Sequence, residues 1–214
     1  MKGNAQAAKR RRVGNLLALT VLSYLTRGPM HPYEMSRALR DRDDARSIKF
    51  SHGTLYMVVD QLAEAGFIVA QETVRDGQRP ERTVYALTDA GRLELRDWLR
   101  DLVEVPHHEY PHFVAALSLI AALPPAEVVE LMGARLRRLA EQREEIRALI
   151  DKTVAAGVHP LFLVEEEYRL DVVDAEASFI RRFIGRIDHP ETGWRRLWGE
   201  FHRELEITGK KEHS

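Results

Sequence analysis

The chain contains no cysteine. This absence excludes disulfide bonds and thiolate metal ligands, and it fits a reducing compartment. The 214 residues also contain no run of eighteen apolar residues, so the sequence predicts no membrane-spanning helix. The opening segment MKGNAQAAKRRRVGN is charged but lacks the apolar stretch and cleavage site of a secretory signal. We therefore expect a cytoplasmic protein.

Motifs of the common enzyme classes are also missing. The sequence has no glycine-rich phosphate loop, no nucleophile elbow and no His-Glu-x-x-His helix. His107, His108 and His112 suggest a metal site. Pro111, however, interrupts any helix that would align them, and no acidic ligand pair lies at metal spacing nearby. We expect a polar linker here, no catalytic residue, no metal and no cofactor; a metal-dependent enzyme that uses these histidines remains an alternative.

Charge is distributed unevenly along the chain. Residues 1–100 carry 17 basic and 12 acidic side chains, whereas residues 101–214 carry 15 and 21. A basic first half joined to an acidic second half suggests that the first half binds a polyanion, although chance partitioning would give the same numbers.

Hydrophobic periodicity divides the first half into short elements. Residues 16–25 are apolar on nearly all sides, which predicts a helix at the centre of a small domain. After Gly66 the apolar period changes from 3.6 to 2, and the Asp76-Gly77 turn signal separates two strands. In chain order we predict helices near 16–25, 32–42 and 52–65, strands near 67–74 and 83–87, and a helix near 89–103. Three helices followed by a β-hairpin are the elements of a winged helix-turn-helix domain.

Beyond Pro106 the sequence predicts only helices. A short helix near 113–123 precedes a long one that opens at Pro124-Pro125, and another follows Pro160. This last helix has two apolar stripes, so we expect it to be buried on two sides. One stripe can pack within the subunit, and a second copy of the chain is the simplest partner for the other. The predicted dimerisation residues of this homodimer are Tyr168, Val172, Val173, Phe179, Ile180, Phe183 and Ile184.

The predicted fold is therefore mainly α, with an α+β winged helix-turn-helix domain followed by an all-α helical dimerisation domain. We place the first domain at residues 1–104, including a basic arm at 1–13. The dimerisation domain follows at 105–191, and residues 192–214 form a partly helical C-terminal tail.

The third predicted helix has the features of a DNA recognition helix. Ser51 is a good N-cap, and the apolar stripe begins at Leu55. The outer face offers small or neutral groups at its amino end and the acidic Asp60 and Glu64 at its carboxyl end. Recognition helices approach base edges with their amino ends, where the helix dipole also favours phosphate. An ordinary capped helix with a solvent-exposed face is the alternative. We predict DNA contacts from Lys49, Ser51, His52, Gly53, Thr54 and Tyr56.

Basic residues flank this helix in sequence. Arg75, Arg79 and Arg82 lie in the loop of the predicted hairpin, where they are placed to reach the DNA backbone or minor groove. The arm at Lys9-Arg10-Arg11-Arg12 either follows phosphate as well or is a solubilising tail.

Three segments resemble the PadR family of bacterial transcriptional regulators. They are LLALTVLSYLTRGPMHPYEM, FSHGTLYMVVDQLAEAGFI with its Gly-Thr-Leu-Tyr core, and ERTVYALTDAGRLEL. Together they cover most of residues 14–103 in the order and spacing of the family. The helical second half is similar through weaker cues, such as LFLVEEEYRLDVVDAE. One departure is His31-Pro32-Tyr33, where family members often have His-Gly-Tyr; Pro32 preserves a helix start.

The resemblance implies a homodimeric regulator, usually a repressor, that binds a pseudo-palindromic operator in double-stranded DNA. It adds Tyr33 to the predicted DNA contacts, and it leaves open that Tyr56 packs inside the domain. A small-molecule effector is a further possible partner, with a pocket lined by Trp98, Trp194 and Trp198; simple core packing is the other interpretation of these aromatics. A helical scaffold or adaptor that does not bind DNA is the remaining alternative.

Overall fold

The computed structural model describes residues 13–41, 48, 50–71 and 83–211. The chain divides into two compact units, Met1–His108 and Glu109–Ser214, each with its own hydrophobic core. Most of the described residues are helical and one two-stranded sheet is present, as the predicted fold class requires. Among the described helices, none is both long enough and apolar enough to cross a membrane.

Helix α1 (Leu16–Leu25) lies at the centre of the first unit. Asn15 caps it, because its side-chain oxygen accepts a hydrogen bond from the backbone N–H of Leu17 at 2.9 Å. Leu17, Val21 and Leu22 are fully buried, and the helix contacts α3 (His52–Glu64), α4 (Asp89–Glu104) and strand β2 (Val84–Leu87). The continuous apolar surface of α1 is therefore covered by several elements, as the sequence predicts.

The sheet pairs β1 (Ile68–Gln71) with β2 in antiparallel register, Ile68 opposite Leu87 and Gln71 opposite Val84. Residues 72–82, which contain the end of the predicted first strand and the hairpin loop, lie outside the described residues. The segment before α2 (Pro32–Asp41) joins the sheet through two backbone hydrogen bonds between Met30 and Tyr85, at 3.0 and 3.1 Å.

The start of helix α4 packs closely against Phe67, the residue before β1. Thr88 caps α4, and its hydroxyl accepts from the backbone N–H of Gly91 at 3.0 Å. A Cβ atom on Gly91 would lie 2.1 Å from the backbone oxygen of Phe67. Only a residue without a side chain fits at this point of contact.

The second unit is wholly helical in its described residues. It contains α5 (His112–Ser118), α6 (Pro125–Ala155), α7 (Val164–Asp188) and α8 (Arg195–Lys211), with short 3₁₀ turns at Ile120–Ala122 and Pro160–Leu163. The helix predicted near 113–123 is present but shorter than predicted: α5 ends at Ser118, because the backbone leaves helical geometry at Leu119, and a 3₁₀ turn follows. Leu123 is extended, as expected for a residue that precedes proline.

Helices α6 and α7 form an antiparallel hairpin around the second core. Val128, Met132, Leu139 and Ile146 of α6 meet Val173, Ala177, Ile180 and Ile187 of α7. Arg143, which interrupts the apolar pattern of α6, donates from Nε to Asp174 of α7 at 2.6 Å. Arg135 makes the equivalent bond to Glu176 at 2.6 Å. The two long helices are thus joined by ion pairs beside their apolar seam.

Candidate nucleic-acid interface

Helix α3 buries one face and exposes the other. Its buried residues are Leu55, Val58, Val59 and Leu62, which are the predicted stripe. At the amino end His52, Gly53 and Thr54 are exposed, and Tyr56 is 44% exposed rather than packed inside the unit. The backbone at Gly53 is open, since a Cβ placed there would meet nothing within 4 Å.

A capping box holds the amino end of α3. The backbone N–H of Thr54 donates to the Ser51 hydroxyl at 3.2 Å, and the backbone N–H of Ser51 donates to Thr54 Oγ1 at 2.7 Å. The Thr54 hydroxyl also donates to the Ser51 carbonyl at 2.9 Å. The Ser51 hydroxyl lies 3.1 Å from the same Thr54 oxygen, so this oxygen is fully engaged inside the box. The methyl group of Thr54 remains for a partner, and replacement of Thr54 would disturb the cap as well as any DNA contact.

Charge varies along the exposed face of α3. Asp60 and Glu64 are exposed in its carboxyl-terminal half, while the first turn contains no acidic residue. The positive end of the helix dipole lies at that first turn. A polyanion is thus favoured at the amino end and repelled at the other.

The amino end of α2 accommodates the His31-Pro32 departure. The backbone N–H of Tyr33 donates to His31 Nδ1 at 3.0 Å, and the backbone N–H of His31 donates to the Glu34 carboxylate at 2.9 Å. Pro32 has no N–H and takes the first helical position. The side chain of Tyr33 is exposed, as a DNA contact requires.

A cluster that the sequence did not predict joins α2 to the start of α3. Ser36, which is fully buried, lies 3.4 Å from His52 Nδ1 through its hydroxyl. Arg40 Nη2 lies 3.1 Å from the same hydroxyl and 3.4 Å from His52 Nε2. The spacing of four between Ser36 and Arg40 puts them on one face of α2, but the sequence gives no sign that His52 meets them.

Several predicted DNA-contacting residues lie outside the described residues. These are Lys49, the hairpin residues Arg75, Arg79 and Arg82, and the basic arm. Their predicted roles stay predictions.

The predicted dimerisation residues of α7 fall into two groups. Val173 and Ile180 are buried against α6 of the same chain, so we remove both from the predicted interface. Tyr168 and Val172 are exposed and retain free surface. The other three are half-buried: Phe179, Phe183 and Ile184. The interface itself stays a prediction.

The predicted effector pocket draws on both units. Trp98 is 4% exposed in the first core. In the second unit, Trp194 and Trp198 have ring centroids 6.1 and 6.3 Å from that of Phe183. A pocket lined by the three tryptophans stays a prediction.

An apolar groove of about 560 Å³ lies within the second unit, lined by α5, the 3₁₀ turn after it and α6. Arg135 forms part of its wall, with the guanidinium 3.8 Å from the centroid of the Phe113 ring. The lining residues do not include the three tryptophans.

The alternative metal site is not assembled. In the part of the chain that the structure describes, no three His, Asp or Glu side chains are grouped closely enough to hold a metal ion. His107 and His108 precede α5 in irregular backbone, and His112 is its first residue.

The fold of the first unit has a counterpart among known families. A model of the transcriptional regulator PadR-like family matches residues 21–97, from the middle of α1 to α4. This segment of the chain is similar to that family. The match contains α2, α3 and both strands, so the PadR resemblance predicted over residues 14–103 is confirmed.

Individual PadR proteins resemble the chain beyond the matched segment. The negative transcriptional regulator PadR of Bacillus subtilis (strain 168) is 23% identical over 142 residues, which are 66% of this chain and 77% of the relative. The crystal structure of B. subtilis PadR in complex with operator DNA has a TM-score of 0.66 at 21% identity, covering 81% of this chain and 100% of that chain. The complex of the same PadR with p-coumaric acid has a TM-score of 0.65 at 19% identity, covering 85% and 99%. At these identities the likeness establishes the fold.

Proposed function

We propose that this chain is a DNA-binding transcriptional repressor that acts as a homodimer and leaves its operator when a small molecule binds. The observation that carries the proposal is the exposed amino end of α3 in a PadR-like winged helix unit. In a helix-turn-helix, the second helix presents its amino-terminal residues to base edges while the first crosses the backbone. His52, Gly53 and Thr54 occupy those base-facing positions.

Dimerisation determines which DNA the two recognition helices can bind. Two copies related by a two-fold axis present two recognition helices to half-sites roughly 34 Å apart on one face of DNA. The operator is therefore pseudo-palindromic. Exposed Tyr168 and Val172 on α7 supply apolar surface for the contact between copies.

Repression and release follow the related protein. B. subtilis PadR is a negative regulator, and its structures include one with operator DNA and one with p-coumaric acid. For this chain, an effector must bind one placement of the two α3 helices more tightly than the other, since equal affinity for both would leave DNA binding unchanged. A phenolic acid is the first probe.

Repression of this kind requires neither catalysis nor a metal. A regulator of this kind acts by occupying DNA, so it needs no nucleophile or acid-base pair. Because its target is bacterial chromosomal DNA, we place the protein in the cytoplasm.

The decisive experiment is a fluorescence anisotropy titration with a duplex from upstream of the coding sequence and a random duplex of equal length. We expect a dissociation constant of about 10 nM or below for the first, and weaker binding as salt rises. p-Coumaric acid is then added to the preformed complex. The proposal fails if the upstream duplex binds no better than the random one, which is the result that a scaffold or enzyme predicts.

Gly53→Glu tests the proposed face of α3. Nothing surrounds a Cβ at Gly53, and a carboxylate in the first turn favours the helix, so the free protein should fold. The new charge would face phosphate and weaken operator binding at least about tenfold. The control Ala148→Glu, at an exposed position on α6, adds the same charge away from both proposed interfaces and should bind as the wild type does. Equal binding by the Gly53 variant would contradict the proposed face.

A further inference from the structure

Ser36, Arg40 and His52 form a hydrogen-bonded cluster, here called the helix-junction cluster, that joins the two helices of the helix-turn-helix. Arg40 contributes Nε to the Ser36 carbonyl at 3.2 Å and Nη2 to the Ser36 hydroxyl at 3.1 Å. The guanidinium is thus held on α2 at two points. Ser36 is fully buried, whereas Arg40 and His52 are exposed.

The hydrogen-bond donors of Arg40 determine the tautomer of His52. An arginine side chain has only donors, so the 3.4 Å contact between Arg40 Nη2 and His52 Nε2 requires that Nε2 accept. The ring proton is then on Nδ1, which lies 3.4 Å from the Ser36 hydroxyl and donates to it. His52 therefore enters DNA binding with its ring orientation and tautomer set by α2.

Among the described residues, the hydrogen bonds of Arg40 leave one of its terminal nitrogens, Nη1, available for an outside partner. Its bonds within the cluster use Nε and Nη2, and none of them uses Nη1. The side chain is exposed near the carboxyl end of α2, beside the first residue of α3. Since the first helix of this motif crosses the DNA backbone, the nearest DNA group is a phosphate.

We propose that Arg40 binds a backbone phosphate beside the recognition helix, and that Ser36 positions Arg40 and His52 for that contact and for base reading. This inference rests on the proposed function. A guanidinium suits the role because its planar donors match phosphate oxygens and it is always charged.

Arg40→Gln, Arg40→Lys and the control Arg96→Gln test the phosphate contact in full-length protein. Arg96 is exposed on α4, so its replacement makes the same charge change away from the cluster. We expect Arg40→Gln to weaken operator and random duplexes alike, by about tenfold. It should also lower the slope of log affinity against log salt by about 0.9, the value for one phosphate contact. Arg40→Lys keeps the charge and should keep the slope, and Arg96→Gln should match the wild type.

Two results would overturn the phosphate contact. One is a wild-type slope for Arg40→Gln; the other is equal behaviour of the Lys and Gln variants, which a purely structural role predicts. If the wild-type protein bound the upstream duplex no better than the random one, the proposed function would be refuted. Failure of the phosphate contact and failure of the proposed function are therefore distinguishable.

Ser36→Ala tests the positioning role. Alanine fits the buried site and preserves the helix, and no charge changes, so the salt slope should stay constant. The preference for operator over random DNA should fall by about threefold, since His52 loses the acceptor for its Nδ1 proton. Nitrogen NMR of the His52 ring should show the Nδ1–H tautomer in the wild type and a mixture in the variant. An unchanged preference together with an unchanged tautomer would contradict the role of Ser36.

Discussion

The two units of the chain differ in how completely they cover their apolar residues. In the first unit, the core leucines of α1 and α3 have almost no accessible surface, and the exposed aliphatic residues, such as Leu93 and Leu99 on α4, are scattered. In the second, one side of the α6–α7 hairpin is closed, but the segment leading into α7 exposes a row of large apolar residues. These are Leu161, Phe162, Val164, Tyr168 and Val172.

This difference suggests that the two units have different binding partners. The first unit has its own hydrophobic core and leaves the amino end of α3 exposed, where we propose that DNA binds. A unit that leaves aromatic side chains in water has surface suited to another protein, because contiguous exposed apolar patches mark interaction sites. Ion pairs such as Arg143 with Asp174 join the two long helices of the second unit, whereas the helix-junction cluster joins α2 to α3 in the first.

The largest expected effect is a loss of stability that is confined to the first unit. Gly91→Ala places a methyl group 2.1 Å from the Phe67 carbonyl oxygen, so α4 must move from the sheet. We expect the free energy of unfolding of this unit to fall by about 3 kcal/mol. Hydrogen exchange should show lost protection in α1 and α4 and unchanged protection in α6 and α7. Gly185→Ala, with open space around it, should stabilise α7 slightly. Equal losses in both units would refute their independence.

The next effect tests the exposed surface of the second unit. Tyr168 is 71% exposed, so Tyr168→Asp costs the isolated subunit little, while a charge in an apolar interface weakens dimerisation about tenfold or more. Light scattering during size exclusion, over a series of concentrations, measures the change. Leu93→Asp is the control, at a residue 62% exposed in the first unit. If both variants dimerise equally well, α7 is not the interface.

A smaller expected effect is a loss of thermal stability at low pH. The hydrogen bond from Arg143 holds the pKa of Asp174 below its usual range. Because the pKa is lower in the folded than in the unfolded chain, the stabilisation is present above the unfolded pKa and is lost as the pH falls through the folded value. Between pH 7 and about pH 3, the melting temperature of the wild type should therefore fall more than that of Asp174→Asn.

Thermal scans by circular dichroism at several pH values provide the comparison. Glu191→Gln removes an exposed carboxylate after α7 and serves as the control, whose pH dependence should follow the wild type. Parallel curves for wild type and Asp174→Asn would show that the pair contributes no acid sensitivity to the second unit.

Local patterns in the sequence predicted the elements and the face of the recognition helix. Ser51 and the stripe from Leu55 depend only on residues a few positions apart, so capping and periodicity suffice. The helix-junction cluster was missed because His52 meets Ser36 and Arg40 only after α2 and α3 pack. The same limit applies to α7: two apolar stripes were visible, but the packing partner of Val173 and Ile180 depends on how α6 turns toward them.

The short pairing of Met30 with Tyr85 has a mechanical consequence. Two backbone bonds tie the start of the helix-turn-helix to the base of the hairpin, so the two parts cannot slide past each other without breaking the bridge. In the proposed complex, DNA therefore contacts the helix-turn-helix and the base of the hairpin as one connected unit. We expect DNA whose groove widths do not fit this unit to bind more weakly, even where no base is contacted.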